Sequence, residues 1–295
     1  MRLGLAITGR HRSLNIPMIP MLFILIPVSG CGDEVAPPTT PPVAEWCDLD
    51  RSREDCEAGN IYINNGNLDE AKALCETPCT RARAISIGGG DAELFKAVRE
   101  FKTVGTFNVF ASHESVKNLK PFSEIEGAAS IDISSNPGLV SLEGLEHLIR
   151  VGPPEDSELE LTGEYKIEIS GNPKLNSVSA LENLEIAGSI MIFNNQALKV
   201  IDGINSLTSA GLRIEYNGAL TRISGFEAMK THGSLAILTN NNLKIIDGFQ
   251  NLTQVDYLRA YRNLGLDECQ VQRIVDQLDE PPGTLEIIEN GKPCD

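Results

Sequence analysis

Asp132 and Glu168 are the two residues of this chain whose type and placement come nearest to chemistry. Each sits between two apolar residues in a short alternating run, Ile131-Asp132-Ile133 and Ile167-Glu168-Ile169. If those runs are neighbouring strands of a parallel sheet, about 4.8 Å apart, the two carboxylates point outward side by side. That separation suits the carboxylate pair of a retaining glycosidase, or a metal ion. The insertion VGPPEDSELELTG, residues 151 to 163, falls between the two runs and would overhang them. Against an enzyme, no general-acid partner is otherwise marked, and like charges on an exposed sheet are commonly just solvated. The chain contains no H-E-x-x-H, no G-x-S-x-G and no phosphate-cradling G-x-x-x-x-G-K-[ST]. His113, His147 and His232 are scattered, the last two expected in equivalent turns. Gly88-Gly89-Gly90 precedes the amphipathic run DAELFKAVREF, but without a lysine or a fuller glycine fingerprint it reads as a turn into a helix. No catalytic residue, metal site or cofactor is expected.

What would position such residues is a repeat. An apolar pair followed three residues later by asparagine recurs along the chain, anchored on Ile87, Val109, Ile133, Ile169, Ile192, Ile214, Ile237 and Ala260. The steps are 22, 24, 36, 23, 22, 23 and 23, the long one being a repeat plus the insertion. The shared skeleton is I-x-I-x-x-N-x-x-L-x-x-[LIV]-x-[GA]-[LIF]-x-x-[LM]. A period in this range with one short strand per unit predicts a stack of strands whose apolar pairs fill a common interior. Asn136, Asn172, Asn195, Asn217, Asn240 and Asn263 stand where the backbone leaves each strand. Their side chains offer both donor and acceptor to their own turn and to the next rung, so they are read as a structural ladder. Glycine at 144, 203, 225 and 248 marks a second corner, calling for positive φ or close backbone approach, with Ala180 in its place in one unit.

These units resemble the receptor L domain, the ligand-binding solenoid of the insulin and epidermal growth factor receptors. The resemblance spans roughly residues 80 to 278 and rests on N-P-x-L at Asn136 and Asn172, L-E-G-L at Leu142, and I-D-G-[IF] at Ile201 and Ile246. It implies a right-handed solenoid with one parallel sheet per side, and binding rather than catalysis. Gly90 and Ser112 depart from the asparagine column in the first two units. The expected fold is therefore mainly β: a right-handed parallel β-solenoid of about eight repeats of 22–24 residues, with disulfide-capped ends and short helices in the first and last units.

The ends carry signals of export. Arg2, Arg10 and Arg12 precede an apolar stretch from Ile16 to Val28, too short to span a bilayer, so residues 1–30 read as a signal peptide. Val28-Ser29-Gly30-Cys31 resembles the bacterial lipobox, which implies diacylglycerol on the Cys31 sulfur and added palmitate-type chains. Gly32 after that cysteine resembles the enterobacterial signal for outer-membrane sorting. Residues 31–45 are then a lipidated, proline-rich linker holding the folded part off the membrane at the bacterial outer membrane or cell surface. Six cysteines remain, and exported thiols oxidise rather than hold zinc. Cys269 is expected to pair with Cys294 across the C-terminal end. Cys47, Cys56, Cys75 and Cys79, in a cysteine-rich cap over residues 46–80, should form two bridges of open pairing, with the solenoid occupying 81–295.

A net charge of −16 repels nucleic acid and anionic lipid heads, so nucleic acid is excluded as a partner and membrane contact is expected through the lipid anchor only. One outward strip of the predicted sheet is less polar than solvent exposure requires. Phe193, Leu238 and Tyr261, with Met191, Arg213 and Arg259 alongside, give the aromatic and arginine mixture of interfaces. The expectation is a non-enzymatic, lipid-anchored surface protein that recognises a protein or glycan ligand through this face. A carbohydrate-active solenoid using Asp132 and Glu168, or an envelope spacer without ligand, are the alternatives.

Overall fold

The computed structural model describes residues 53–64, 79–95, 100–153 and 165–294. The described chain is a parallel β-solenoid of about nine turns. Its main sheet contains β1 (Arg53–Asn64), β2 (Cys79–Gly88), β3 (Thr103–Phe110), β4 (Gly127–Ser134), β5 (Arg150–Val151), β6 (Lys166–Ser170), β7 (Ile186–Phe193), β9 (Ser209–Glu215), β11 (Thr231–Leu238), β13 (Gln254–Tyr261) and β14 (Thr284–Ile288). β8 (Val200–Ile201), β10 (Arg222–Ser224) and β12 (Ile245–Asp247) form a second, three-stranded parallel sheet. Short helices α1 (Ala92–Phe95) and α2 (Cys269–Asp276) stand in early and final units.

Strand alternation fixes which residues face inward. Register pairs Ile133 with Ile169, Ile169 with Ile192, Ile192 with Ile214, Ile214 with Ile237 and Ile237 with Ala260. All six are buried, as are Leu139, Leu175, Leu198, Leu220 and Leu243 of the next skeleton column. No unit can bury these residues by itself, so stacking supplies the core. Aromatic residues thicken it at two places: Phe122 meets Phe95 and Phe107 edge-on, and Phe226 stacks on Phe249 at 5.1 Å.

The asparagines lie in single file inside the corner after each strand, with Asn136, Asn172, Asn195, Asn217, Asn240 and Asn263 fully buried. Each reaches back to the preceding rung. Asn217 Oδ1 accepts the Asn195 backbone N–H at 3.0 Å, while its Nδ2 donates to the Ile192 carbonyl at 2.9 Å. The same two bonds recur for each of the others, and Asn290 closes the file by accepting from Asn263 N–H. The second unit's Ser112 is buried in this column and donates its N–H to Asn136.

Three features differ from the sequence reading. β1 adds a rung before the first recognised repeat, pairing Ile61 with Ile85 and Ile63 with Ile87, so the sheet begins inside the segment assigned to the cap. The insertion splits a rung: β5 pairs the first halves of β4 and β7, β6 pairs their second halves, and residues 154–164 of the insertion lie outside the described residues. His232 lies in β11, opposite Val255, not in a turn.

The C-terminal end is closed on one side only. Helix α2 covers the edge of the small sheet, where Gln270 Oε1 accepts the Ile246 N–H of β12 at 2.9 Å and Nε2 donates to the Lys244 carbonyl. β14 pairs with β13 alone, leaving Leu285 and Ile288 exposed. The expected disulfide ties these parts together: Cys269, the first residue of α2, bonds Cys294 over a separation of 25 residues. Cys79 is also disulfide-bonded. Cys47, Cys75, Cys31, expected to carry the lipid anchor, and the proline-rich segment lie outside the described residues, and Cys56 falls in β1, whose backbone there is described. Removing the Cys269–Cys294 bridge by a double serine substitution is expected to weaken the last unit by roughly 3 kcal/mol, the loop-closure value for such a separation. Hydrogen exchange should show β14 amides losing protection while β7 and β9 keep theirs, because each turn contacts only its neighbours. Uniform loss along the sheet would contradict this.

Candidate binding face

Outward residues of the main sheet form two columns. One runs Asn108, Asp132, Glu168, Met191, Arg213, Ala236, Arg259 and Glu286; the other runs Phe110, Ser134, Ser170, Phe193, Glu215, Leu238, Tyr261 and Ile288. The six residues picked out as a binding set, Met191, Phe193, Arg213, Leu238, Arg259 and Tyr261, therefore share one face across the four consecutive rungs β7, β9, β11 and β13. Three rung intervals make this strip about 14 Å long.

The structure corrects parts of that set. Leu238 is only 9% exposed, because Glu215 and Tyr261, its longer neighbours in the column, flank it on both sides. It is packing, not contact surface. Both arginines are engaged within the sheet. Arg213 Nε donates to Glu215 Oε2 at 2.6 Å, and Arg259 Nε lies 2.8 Å from Glu286 Oε2, off the line of an aligned hydrogen bond. Arg259 also lies over the Tyr261 ring at 5.0 Å, with Arg262 at 5.7 Å from the same ring. Such exposed pairs add little stability but hold the tyrosine ring in place. Phe193, Met191 and Tyr261 remain half-buried, with one side toward solvent. Phe110 is more exposed, at 39%, since its column neighbours Gly88 and Ser134 are small.

Asp132 and Glu168 are neighbours in register, as the repeat required. Glu168 is held by Lys166 Nζ at 2.9 Å and accepts from Ser170 Oγ at 3.5 Å. Asp132 Oδ1 is buried without a hydrogen-bond partner. A carboxylate committed to a lysine is poorly placed to donate a proton to a leaving group. Among the described residues no group of three His, Cys, Asp or Glu residues could hold a metal ion.

The sequence reading missed the corner between strand and asparagine. The residue two past each anchor has positive φ in every rung from β2 to β14: Gly89, Ala111, Ser135, Gly171, Asn194, Tyr216, Thr239, Arg262 and Glu289. This left-handed residue ends the alternation and lets the following asparagine point inward. Its N–H continues the ladder, as where Tyr216 donates to the Leu238 carbonyl at 3.1 Å. For a residue with a Cβ the conformation costs about 1 kcal/mol or more, so glycine or asparagine suits it and a bulky aromatic does not. Tyr216 occupies it with φ of 54° and is 53% exposed.

Beside Tyr216 runs an open groove of about 620 Å³, lined by Phe193, Asn194, Gln196, Arg213, Glu215, Tyr216, Gly218, Thr239 and Asn241. Gln196 Nε2 donates to Asn194 Oδ1 and to the Tyr216 carbonyl, both at 2.9 Å, which fixes its amide plane. Gly218 leaves the space: a Cβ there would stand 2.4 Å from Gln196 Oε1. Phe193 and Arg213 belong both to this groove and to the strip above it. The signal that could have found the groove is Tyr216 itself, an aromatic in the position before the asparagine where the units on either side have Asn194 and Thr239.

The remaining polar candidates resolve into local structure. His113 Nδ1 is 3.1 Å from Ser115 Oγ within a turn, and His147 Nδ1 is 2.7 Å from the Ser123 carbonyl of the preceding rung. Gly89 N–H bonds the Phe110 carbonyl and the Gly90 carbonyl accepts from His113, so this glycine run is consumed by the ladder rather than cradling phosphate. No family model, curated protein or solved structure matches the chain.

Proposed function

We propose that the protein is a non-enzymatic, lipid-anchored binding protein of the bacterial envelope that recognises a protein or glycan through the outer face of its main sheet. The observation that carries the reading is the placement of Phe193, Met191 and Tyr261 on one face of four consecutive rungs, beside the open groove at Tyr216. Half-exposed aromatics backed by ordered ion pairs are the composition of contact surfaces, and their fixed rings cost little entropy on association. The ion pairs make the strip close to neutral in a chain of net charge −16, so a partner meets shape and apolar area there more than field. The resemblance to the receptor L domain and the lipobox-like Val28-Ser29-Gly30-Cys31 agree with this reading, with Cys31 as the anchor and the proline-rich segment as spacer at the outer membrane.

The test is capture from solubilised envelopes by the purified full chain. A partner retained by the native protein should fall at least tenfold in yield with a Phe193→Ser, Tyr261→Ser double variant that keeps its native circular dichroism. Equal retention by the double variant, or no specific capture by either, would reject the face as the recognition surface.

A further inference from the structure

We propose that the groove at the left-handed corner is a binding site for a neutral oligosaccharide, with the Tyr216 ring as its stacking platform. The inference deepens the binding reading above and rests on it. Four observations converge on sugar chemistry. Tyr216 keeps its ring in solvent at a backbone position hostile to aromatic residues, and its column neighbours Asn194 and Thr239 are smaller, which leaves the ring face clear. The apolar C–H face of a pyranose packs against such a ring.

Next to the ring, the Gln196 amide is locked by its two donor bonds, so Oε1 stands as a fixed acceptor at the groove floor left open by Gly218. Asn194 and Asn241 add further amide groups on either side. Planar amides match the paired donor and acceptor demands of adjacent hydroxyls, and one already oriented loses little freedom on binding.

The charge pattern selects against ions. Arg213 and Glu215, the two charged residues lining the groove, are bonded to each other, so neither an anionic nor a cationic ligand finds an uncompensated partner. A polyhydroxylated neutral molecule does. The groove crosses the rungs that carry Asn194, Tyr216 and Thr239, and successive rungs about 4.8 Å apart repeat at a spacing comparable with one sugar unit of an extended chain. An oligosaccharide can thus meet one corner per sugar, with side-chain amides on the two outer rungs and the Tyr216 ring between them.

The experiment is a titration of the purified full chain against soluble cello-, chito-, xylo- and manno-oligosaccharides, with oligogalacturonate as the anionic comparison. A neutral series should bind, and oligogalacturonate should not. Tyr216→Asn should weaken binding at least tenfold while melting at the same temperature or higher, because asparagine suits the left-handed corner. Gln196→Ala should weaken it several-fold, and Ile245→Ser, on the opposite small sheet, should leave it unchanged. No binding by any neutral series, preferential binding of oligogalacturonate, or native affinity in Tyr216→Asn would overturn the proposal. The broader reading is judged separately: a protein captured from envelopes and lost in the Phe193 and Tyr261 double variant, together with no binding of any neutral series, keeps the face and removes the sugar site, whereas absence of any capture together with absence of sugar binding removes both.

Discussion

Replacing Asn217 with alanine is expected to destabilise the solenoid by about 3–5 kcal/mol, and replacing it with aspartate by at least as much. The side chain is fully buried. Alanine would strand the Asn195 backbone N–H and the Ile192 carbonyl, each bonded only 3.0 and 2.9 Å away in the native rung. A buried polar group without a partner costs about 1–3 kcal/mol, and here two are created at once, together with a void. Aspartate separates shape from chemistry. It fills the same volume and can still accept from Asn195, but it sets a carboxylate oxygen against the Ile192 carbonyl and against Asn240 Oδ1, which the native amide reaches at 3.3 Å. Urea denaturation of the three proteins measures the differences. A cost below about 1 kcal/mol for aspartate would mean that the ladder is packing rather than hydrogen bonding.

The ladder was legible because it joins two independent signals, an apolar alternation and a polar residue at fixed offset, and both recur. Where one signal is missing, the reading stops short. Ile61-Tyr62-Ile63 stands 24 residues before the Ile85-Ser86-Ile87 pair and lies in a strand paired with it, yet the sequence has Gly66 at the asparagine offset and the surrounding cysteines suggest a cap. The split rung has the same origin, since an insertion hides that β5 and β6 are one strand's halves.

The outward columns were also legible, because a period of two decides which side chains leave the sheet. What they do once outside was not. Leu238 is apolar and outward, but its exposure depends on Glu215 and Tyr261, one rung away on either side. Arg213 and Arg259 have the type of contact residues, but Glu215, two residues along the same strand, and Glu286, paired in register on the next, engage them. Pattern assigns a direction; neighbours decide accessibility. The left-handed corner was hidden for a third reason. Its residues, among them alanine, serine, tyrosine, threonine and arginine, share a backbone angle and no side-chain chemistry.

The glycine corner shows how one sequence column can meet two physical demands, and it yields the second large effect. Gly144→Ala is expected to cost about 3–5 kcal/mol, combining a prohibited backbone angle with steric overlap. Gly144 has φ of 113°, and a Cβ on it would stand 2.0 Å from the Leu119 carbonyl oxygen and 2.5 Å from Lys120 N. Those neighbours are backbone of the adjacent turn and cannot swing aside, so relief requires separating two rungs. Gly248→Ala should be milder, since Gly248 lacks positive φ and its nearest contacts, Gly225 N and Ser224 C, lie at 2.9 Å. Ala180 occupies the same column one unit after Gly144, in a 3-10 turn from Ser179 to Leu181, where a methyl group is buried without a positive φ. Ala180→Gly should therefore lose only about 0.5–1 kcal/mol, through added backbone freedom in the unfolded chain. Denaturation midpoints at unchanged m-value test the order Gly144→Ala, then Gly248→Ala, then Ala180→Gly. Equal costs for Gly144→Ala and Gly248→Ala, with a gain for Ala180→Gly, would show that a corner glycine is a property of the repeat. The expected order shows instead that it is a property of what each turn rests upon.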